Sequence, residues 1–271
     1  MVDLNIFPGK RSDTDAWTDR ALKVCYLVRR SLLPDRKMIF LLPFPRSGST
    51  YLNNLLGSVT GYKRSHCVSG YKRNEQDLYL PRVIDSIGRE VIVYQHAKAS
   101  DRSLEILKSL GAPVIVHTRN IYDCMVSLRD YYESLGVVDR MPFVPIVEHY
   151  VDLTEEQKLD LFIDMAAPWY INHYVSWSVA DRNKEVPILW TSYKSLVCDP
   201  KSCLERILEF CEVDVHVDDV EAALDGVDEK KSRFNRGVIG RGGDGLSNSQ
   251  KERIGNMARY FPDIDFSSIG L

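Results

Sequence analysis

The chain has 271 residues, 44% of them hydrophobic, which is enough to bury a sizeable core and favours one large α/β domain over two small ones. Its formal net charge of −3 argues against non-specific nucleic-acid binding, and its six cysteines, which form no Cys-x-x-Cys pair, suggest reduced thiols in the cytoplasm and no metal site. No apolar run is long enough to span a membrane, and residues 1–19 do not resemble a signal peptide, so we expect no membrane partner. The net charge leads us to expect no nucleic-acid partner.

The first predicted element is an amphipathic helix over residues 17–33, where apolar side chains fall near one helical face. It lies within a predicted N-terminal helical extension, residues 1–37. A short apolar run that starts at Met38 follows and is typical of a buried strand. Next come a turn with Pro45 and a helix-compatible run, Tyr51 to Leu56.

The turn between this strand and this helix has the composition of an anion site. Backbone N–H groups of the loop and of the first helical turn converge on one spot, and the helix dipole favours negative charge there. Arg46 adds a positive charge, Gly48 allows a tight turn, and Ser47, Ser49 and Thr50 add hydroxyl donors. The sequence therefore predicts a phosphate-like or sulfate-like ligand at this loop.

Several interpretations of the loop compete at this point. A kinase or NTPase loop would read Gly-x-x-x-x-Gly-Lys-Ser/Thr, but Pro43 stands at the first glycine and no lysine follows Gly48. A hydrolase nucleophile elbow would flank Ser47 or Ser49 with glycines, which are absent. A loop for a phosphosulfate, which needs no magnesium, fits the composition. An ordinary strand–turn–helix with polar turn residues also remains open.

The middle of the chain alternates strands and helices. Residues 60–90 are rich in Tyr, Lys and Arg and are predicted to be irregular. Val91–Tyr94 and Val114–Thr118 are predicted strands. Between them lies a helix from a Ser100 cap to about Leu110, and a further helix spans about Ile121–Glu133.

The C-terminal half continues the alternation. Residues 134–153 are predicted to be an acceptor loop or lid. Helices should start at the caps Thr154, Asp199 and Ser247, and Ile188–Thr191 should be a strand. We therefore predict an α/β fold, P-loop-like and three-layered, with a central mostly parallel sheet and helices on both faces.

Several segments, in the right order from residue 38 to about 260, resemble motifs of the soluble, cytosolic and bacterial sulfotransferases that use 3'-phosphoadenosine 5'-phosphosulfate (PAPS). The first loop is similar to that family's Pro-Lys/Arg-Ser-Gly-Thr-Thr-Trp loop. The predicted strand Val114–Thr118, followed by Arg119 and Ser127, resembles the family's second signature. That signature is a strand that ends in Arg and is followed by Asn-Pro-x-Asp and then Ser. The matching segments are Pro45–Tyr51, Val114–Ser127, Trp169–Trp177, Tyr193–Leu196 and Phe234–Ser247. The resemblance implies a single sulfotransferase domain over residues 1–271.

The resemblance assigns the 5' side of the nucleotide to the first loop. Arg46 would contact the bridging oxygen and stabilise the leaving phosphate, although it replaces the commoner lysine and cannot readily donate a proton. Tyr51 stands where the family often has a tryptophan that stacks on adenine, and Tyr193 would lie against the adenine edge. The loop residues implied to hold the 5'-phosphate are Ser47, Gly48, Ser49 and Thr50.

The 3' side is assigned to later segments. Arg119 follows a predicted strand, at the end where open α/β sheets place ligand contacts, and with Ser127 it would bind the 3'-phosphate. Arg236 and Gly237 would close over the same phosphate from residues 232–247, a glycine-rich flap. That flap departs from the family at Asn235 and Gly242, which replace its usual arginine and a common tryptophan.

An acceptor hydroxyl must lose a proton as sulfur arrives, and histidine suits that task near neutral pH. His96 follows the second predicted central strand, where the resembled family has Lys-Thr-His and uses the histidine as the base. Here Tyr94 replaces that lysine. His117 lies inside an apolar strand and is predicted to be a core residue.

The predicted function is metal-independent transfer of the PAPS sulfuryl group to a hydroxyl or amine of a small-molecule acceptor. The product nucleotide would be adenosine 3',5'-bisphosphate (PAP), and the protein a monomer or homodimer. The alternatives are a nucleotide-binding protein without transferase activity and, less favoured, a kinase-like NTPase. The substitutions at Arg46, Tyr94, Asn235 and Gly242 motivate the first alternative.

Overall fold

A computed structural model describes residues 24–29, 31–33, 37–70, 75–134, 149–226 and 239–271. Within them, five strands form one sheet in the order β2-β3-β1-β4-β5, and all neighbouring strands are parallel. The predicted parallel α/β sheet is therefore confirmed. The strands are β1 (Met38–Leu41), β2 (Lys63–Ser65), β3 (Val91–Tyr94), β4 (Val114–Thr118) and β5 (Ile188–Ser192).

The burial of each strand follows from its place in the sheet. The three central strands are almost entirely buried, since helices cover both faces of a parallel sheet and leave no polar side. The edge strand β2 instead exposes Lys63 and Arg64. Charged side chains on an edge discourage pairing with another chain.

Four of the described helices begin at capping residues that the sequence predicted. The side chains of Ser100, Thr154, Asp199 and Ser247 each accept a hydrogen bond from a first-turn amide. The helices are α1 (Ser49–Thr60), α2 (Leu80–Ser86), α3 (Asp101–Leu110), α4 (Ile121–Ser134), α5 (Glu155–Arg182), α6 (Tyr193–Cys198), α7 (Pro200–Phe210), α8 (Val217–Gly226), α9 (Arg241–Gly245) and α10 (Asn248–Ala258).

Residues 60–90 are more regular than predicted. They contain β2 and α2, which the sequence interpretation missed. Strand β2 has only three residues and no apolar alternation, and α2 carries a proline at its start, so neither leaves a periodic signal. Helix α8 was also missed.

Alternate residues of β1 point into different parts of the core. Ile39 and Leu41 pack with α1, α7 and α8 on one side of the sheet. Phe40 and Leu42 pack on the other side, together with Trp177 of α5. A further cluster around Tyr132 joins α4, α5 and α10. Helices therefore cover both faces, as predicted.

Three predicted segments are described only in part. Of the N-terminal extension, residues 24–29 and 31–32 are helical. Of the acceptor loop, residues 149–153 are described and contain the 3-10 helix Tyr150–Asp152. Of the glycine-rich flap, residues 239–247 are described and include α9. The remainder lies outside the described residues, and the single-domain boundary stays a prediction.

Candidate active site

The loop between β1 and α1 has an unusual backbone. Arg46 and Gly48 both have left-handed conformations, with φ of 61° and 78°. A Cβ atom on Gly48 would lie 2.8 Å from Cδ2 of Tyr193, so this position requires glycine for its conformation and also for its space. No described side chain caps the start of α1, which leaves first-turn amides for an anion.

The loop hydroxyls are used in different ways. Ser47 is fully buried and its hydroxyl donates to the carbonyl of Phe44 at 2.7 Å, so it holds the loop together. Ser49 Oγ lies 3.0 Å from the hydroxyl of Tyr94, which belongs to β3. Thr50 is half-buried and lines an open groove of about 800 Å³ with Arg64 and other polar side chains.

Five of the predicted nucleotide-binding residues contact one another in series. Arg46 Nε donates to Ser127 Oγ at 3.3 Å, and Arg119 Nη1 donates to the carbonyl of Arg46 at 3.1 Å. The guanidinium carbon of Arg119 lies 4.0 Å from the centre of the Tyr193 ring, and that ring covers Gly48. The fold therefore brings together three segments that are far apart in sequence: the first loop, residues 119–127 and Tyr193.

The two guanidinium groups make this region strongly cationic. Arg119 is only 7% exposed, and Arg46 stacks over the Tyr131 ring at 4.4 Å. Burial lowers the pKa of Arg46, and the neighbouring charge of Arg119 lowers it further. An arginine nevertheless stays protonated in proteins. Two cations that share one site, one buried and one half-buried, favour an anionic ligand.

His96 lies just beyond the end of β3, and its tautomer is set by the backbone. Nδ1 is 2.8 Å from the carbonyl oxygen of Pro43, which can only accept, so Nδ1 carries the proton and Nε2 keeps its lone pair. The Tyr94 ring contacts it edge-on, with centroids 5.4 Å apart. Burial lowers the pKa of His96 below its usual value. The ring is therefore neutral at pH 7, as a general base must be.

The family model described as "Sulfotransferase domain" matches residues 36–236. The chain belongs to the sulfotransferase family. The match confirms the resemblance found in the sequence and makes the chain a transferase of the sulfotransferase type. It spans every described residue of the candidate site except those in the described end of the glycine-rich segment, residues 239–247.

Solved structures share this fold. Mouse sulfotransferase SULT7A1, crystallised with PAP, is 16% identical with a TM-score of 0.60, over 89% of this chain and 90% of the other. Retinol dehydratase with retinol and PAP is 12% identical with a TM-score of 0.54, over 89% and 86%. Its complex with androsterone and the inactive cofactor PAP gives 12%, 0.55, 89% and 87%. A search of curated proteins found no significant match.

Asp123 is a central residue of the site that sequence reasoning did not assign. Its Oδ2 lies 3.4 Å from Nη2 of Arg119. The same carboxylate accepts from the amides of Gly240 and Gly242, at 3.0 and 2.7 Å. It therefore ties the described end of the glycine-rich segment to the Arg119 side of the site. An acidic residue four positions after Arg119, inside an apolar helix, was the available signal.

The close approach of this segment explains why a glycine stands at position 242. A Cβ atom there would lie 2.3 Å from the carbonyl carbon of Tyr122, so the tryptophan common in the family does not fit this packing. Arg236 and Gly237 lie outside the described residues, and their predicted contact with the 3'-phosphate stays a prediction.

Tyr51, which was predicted to contact the nucleotide, and His117, which was predicted to be a core residue, are both buried in the core. Tyr51 is 8% exposed and packs with the α1 and α7 side chains, so little of its ring is left for adenine. His117 is fully buried, with Nδ1 2.8 Å from Thr191 Oγ1 and Nε2 2.9 Å from the carbonyl of Ser47. Burial lowers its pKa to about 4. His117 is therefore the core residue that the sequence predicted.

No described helix is long and apolar enough to cross a membrane. Among the described residues, no group of three or more His, Cys, Asp and Glu side chains is arranged to hold a metal ion.

Proposed function

We propose that this sulfotransferase moves the sulfuryl group of PAPS to a hydroxyl or amine of a small-molecule acceptor, with His96 as the general base. The contact between Arg46, Arg119 and Ser127 at the start of α1 carries the proposal. PAPS has anionic groups on both its 5' and 3' sides, and this region offers guanidinium groups and helical amides to both. The PAP in the related crystal structures supports the same donor.

The loop would hold the 5' side of the donor. Amides of Gly48, Ser49 and Thr50 would face the 5'-phosphate, and Arg46 would neutralise the charge that grows on the leaving phosphate oxygen. Arg119 and Ser127 would hold the 3'-phosphate, with Arg236 and Gly237 closing over it. Tyr193 would border the adenine, and the buried Tyr51 would offer it only a small part of its ring.

The reaction itself needs one proton transfer. Nε2 of His96 accepts the proton of the acceptor group while the acceptor atom bonds to sulfur. The bond between sulfur and the bridging oxygen breaks in line with the attack, and PAP leaves with its charge beside Arg46. The neutral tautomer fixed by Pro43 makes His96 ready for this step.

The setting of the reaction is also part of the proposal. We place the protein in the cytoplasm, as a monomer or homodimer acting on a small molecule without a metal. All six cysteines are free thiols, which suits a reducing compartment. Retinol dehydratase, a structural relative, was crystallised with retinol and with androsterone, which are small molecules.

The test combines calorimetry with a labelled donor. We expect PAP to bind in the presence of EDTA and ATP to bind much more weakly, because ATP lacks a 3'-phosphate. We also expect transfer of label from [³⁵S]PAPS to a small molecule in a metabolite extract. Tighter binding of ATP than of PAP would favour an NTPase. Tight PAP binding without any labelled product would favour a nucleotide-binding protein that lacks transferase activity.

A further inference from the structure

Glu75 is a half-buried carboxylate for which the reaction described above has no use. Its Oε2 atom is shielded from solvent and has no hydrogen-bond partner among the described residues. An unpaired carboxylate oxygen is costly to bury. The Oε2 atom of Glu75 would therefore be stabilised by a positive charge or a proton donor that forms only during the reaction.

The backbone of this segment is anchored beside the base. Gln95, which directly precedes His96, is fully buried. Its Nε2 donates to the carbonyl oxygens of Gln76 and Asp77 at 2.6 and 3.0 Å, and its Oε1 accepts from the amide of Cys67 at 3.0 Å. These bonds hold the residues next to Glu75 against the end of β3, where the candidate active site begins.

The charge of Glu75 acts on groups that line the reaction centre. Burial is the main cause that raises the pKa values of Tyr94 and Tyr170, and the charge of Glu75 raises them further. Burial lowers the pKa of His96, and the charge of Glu75 opposes that lowering. Both tyrosines hold the anion loop, since Tyr94 contacts Ser49 and the Tyr170 hydroxyl donates to the carbonyl of Pro45 at 3.0 Å. The charge of Glu75 therefore acts on the base and on two side chains that contact the loop.

The other charged or titratable groups around His96 act differently. They are Arg46 of the loop, His66 after β2, Tyr94 of β3 and His173 of α5. The charges of Arg46 and His66 lower the pKa of His96, as does burial. Glu75 and the Pro43 carbonyl raise it. Without Glu75, the ring would sit among cationic and neutral neighbours.

We propose that Glu75 is a positioning residue for the general base, whose carboxylate stabilises the imidazolium that forms when His96 takes the proton of the acceptor. The inference rests on the proposed function. The proton moves from the acceptor to Nε2, the positive charge appears on the ring, and the negative charge of Glu75 compensates it. After the sulfated product leaves, the proton passes to water and the neutral ring returns.

The first test is the pH profile of Glu75→Gln, which removes the charge and keeps the shape. We expect kcat to fall by about tenfold, which corresponds to one pKa unit of lost stabilisation. We also expect the acid limb of the kcat/KM profile to move to lower pH, because a less stabilised imidazolium loses its proton more readily. The affinity for PAP should stay within about twofold, because the donor contacts are unchanged.

Two matched variants control for effects of the segment itself. Asp77→Asn removes an exposed charge two residues away and keeps the backbone carbonyl that Gln95 binds, so it should leave both kcat and the pH profile unchanged. Glu75→Asp restores the charge and should recover part of the rate. An unshifted acid limb in Glu75→Gln, or an equal loss in Asp77→Asn, would overturn the proposal.

A spectroscopic readout separates this inference from the proposed function. The His96 ring can be titrated by NMR, with PAP bound, in the wild type and in Glu75→Gln. We expect the His96 pKa to fall in the variant even if no acceptor is found. An unchanged His96 pKa would reject the role of Glu75, whereas failure of PAP to bind the wild type would reject the donor site instead.

Discussion

The two sides of the candidate active site are built differently. On the donor side, Arg46, Ser127, Arg119, Tyr193 and Gly48 contact one another in series. On the base side, the described residues give His96 one hydrogen bond, and a shielded oxygen of Glu75 has no partner among them. The donor side binds the same nucleotide in every turnover, which suits a preorganised site. On the base side, a polar atom without a partner can be stabilised by charge that forms when the acceptor reacts.

The largest expected effect separates the two sides by rate and affinity. His96→Ala should lower kcat by about 10²- to 10⁴-fold, the usual contribution of a general base. It should leave the affinity for PAP within a few-fold, because no described hydrogen bond joins His96 to the residues assigned to the donor. Steady-state kinetics and calorimetry measure the two quantities.

The control for this variant is His216→Ala, which removes an exposed histidine just before α8. It should change neither quantity. A large loss of PAP affinity in His96→Ala would contradict the division of the site into a donor side and a base side, since it would place the histidine on the donor side.

The next effect tests the donor side through the two ends of α1. Gly48 and Gly61 both have left-handed conformations, but a Cβ atom on Gly48 meets Tyr193 whereas one on Gly61 meets nothing within 4 Å. Gly61→Ala should therefore cost only the backbone penalty, about 1–2 kcal/mol. Gly48→Ala should cost more and should also weaken PAP binding by about tenfold or more.

Urea denaturation and calorimetry on the two glycine variants give the comparison. Equal losses of stability, with PAP affinity retained in both, would show that the packing of Tyr193 on the loop is not needed for the site.

The smallest effect concerns the core histidine that supports the donor loop. His117 has a folded pKa of about 4, well below the unfolded value, so the unfolded chain binds its proton first as pH falls. The stability that His117 contributes is therefore present above about pH 6.5 and is lost on acidification. Between pH 7.5 and 5 the free energy of unfolding should fall by about 2 kcal/mol more in the wild type than in His117→Gln. Parallel pH dependences would contradict the assignment.

The residues assigned to the donor side could be selected from the sequence because they stand in short motifs, and the fold brings them together. Their contacts with the donor stay a prediction. The loop from Arg46 to Thr50 and the strand that leads to Arg119 each carry local signals of charge, small residues and apolar runs. The caps at Ser100 and Thr154 were equally local. The family match confirmed the fold and the reaction class that these motifs indicated.

The rest could not be predicted because it depends on contacts between distant segments. Asp123 binds amides of Gly240 and Gly242, more than a hundred positions away. The Gln95 side chain binds the carbonyls of Gln76 and Asp77, which holds the residues next to Glu75 near the end of β3, and no sequence spacing predicts that contact. Strand β2 has only three residues and depends on pairing with β3. The identity of the acceptor depends on the same kind of non-local assembly.

The most direct test of the donor site combines one variant with one change of ligand. Calorimetry would compare PAP with adenosine 5'-monophosphate, which lacks the 3'-phosphate, on the wild type and on Arg119→Met. If Arg119 binds that phosphate, the variant should lose about 2–5 kcal/mol of affinity for PAP and almost none for the monophosphate. Equal losses for both ligands would contradict the account, because they would show that Arg119 only supports the fold around Tyr193 and Asp123.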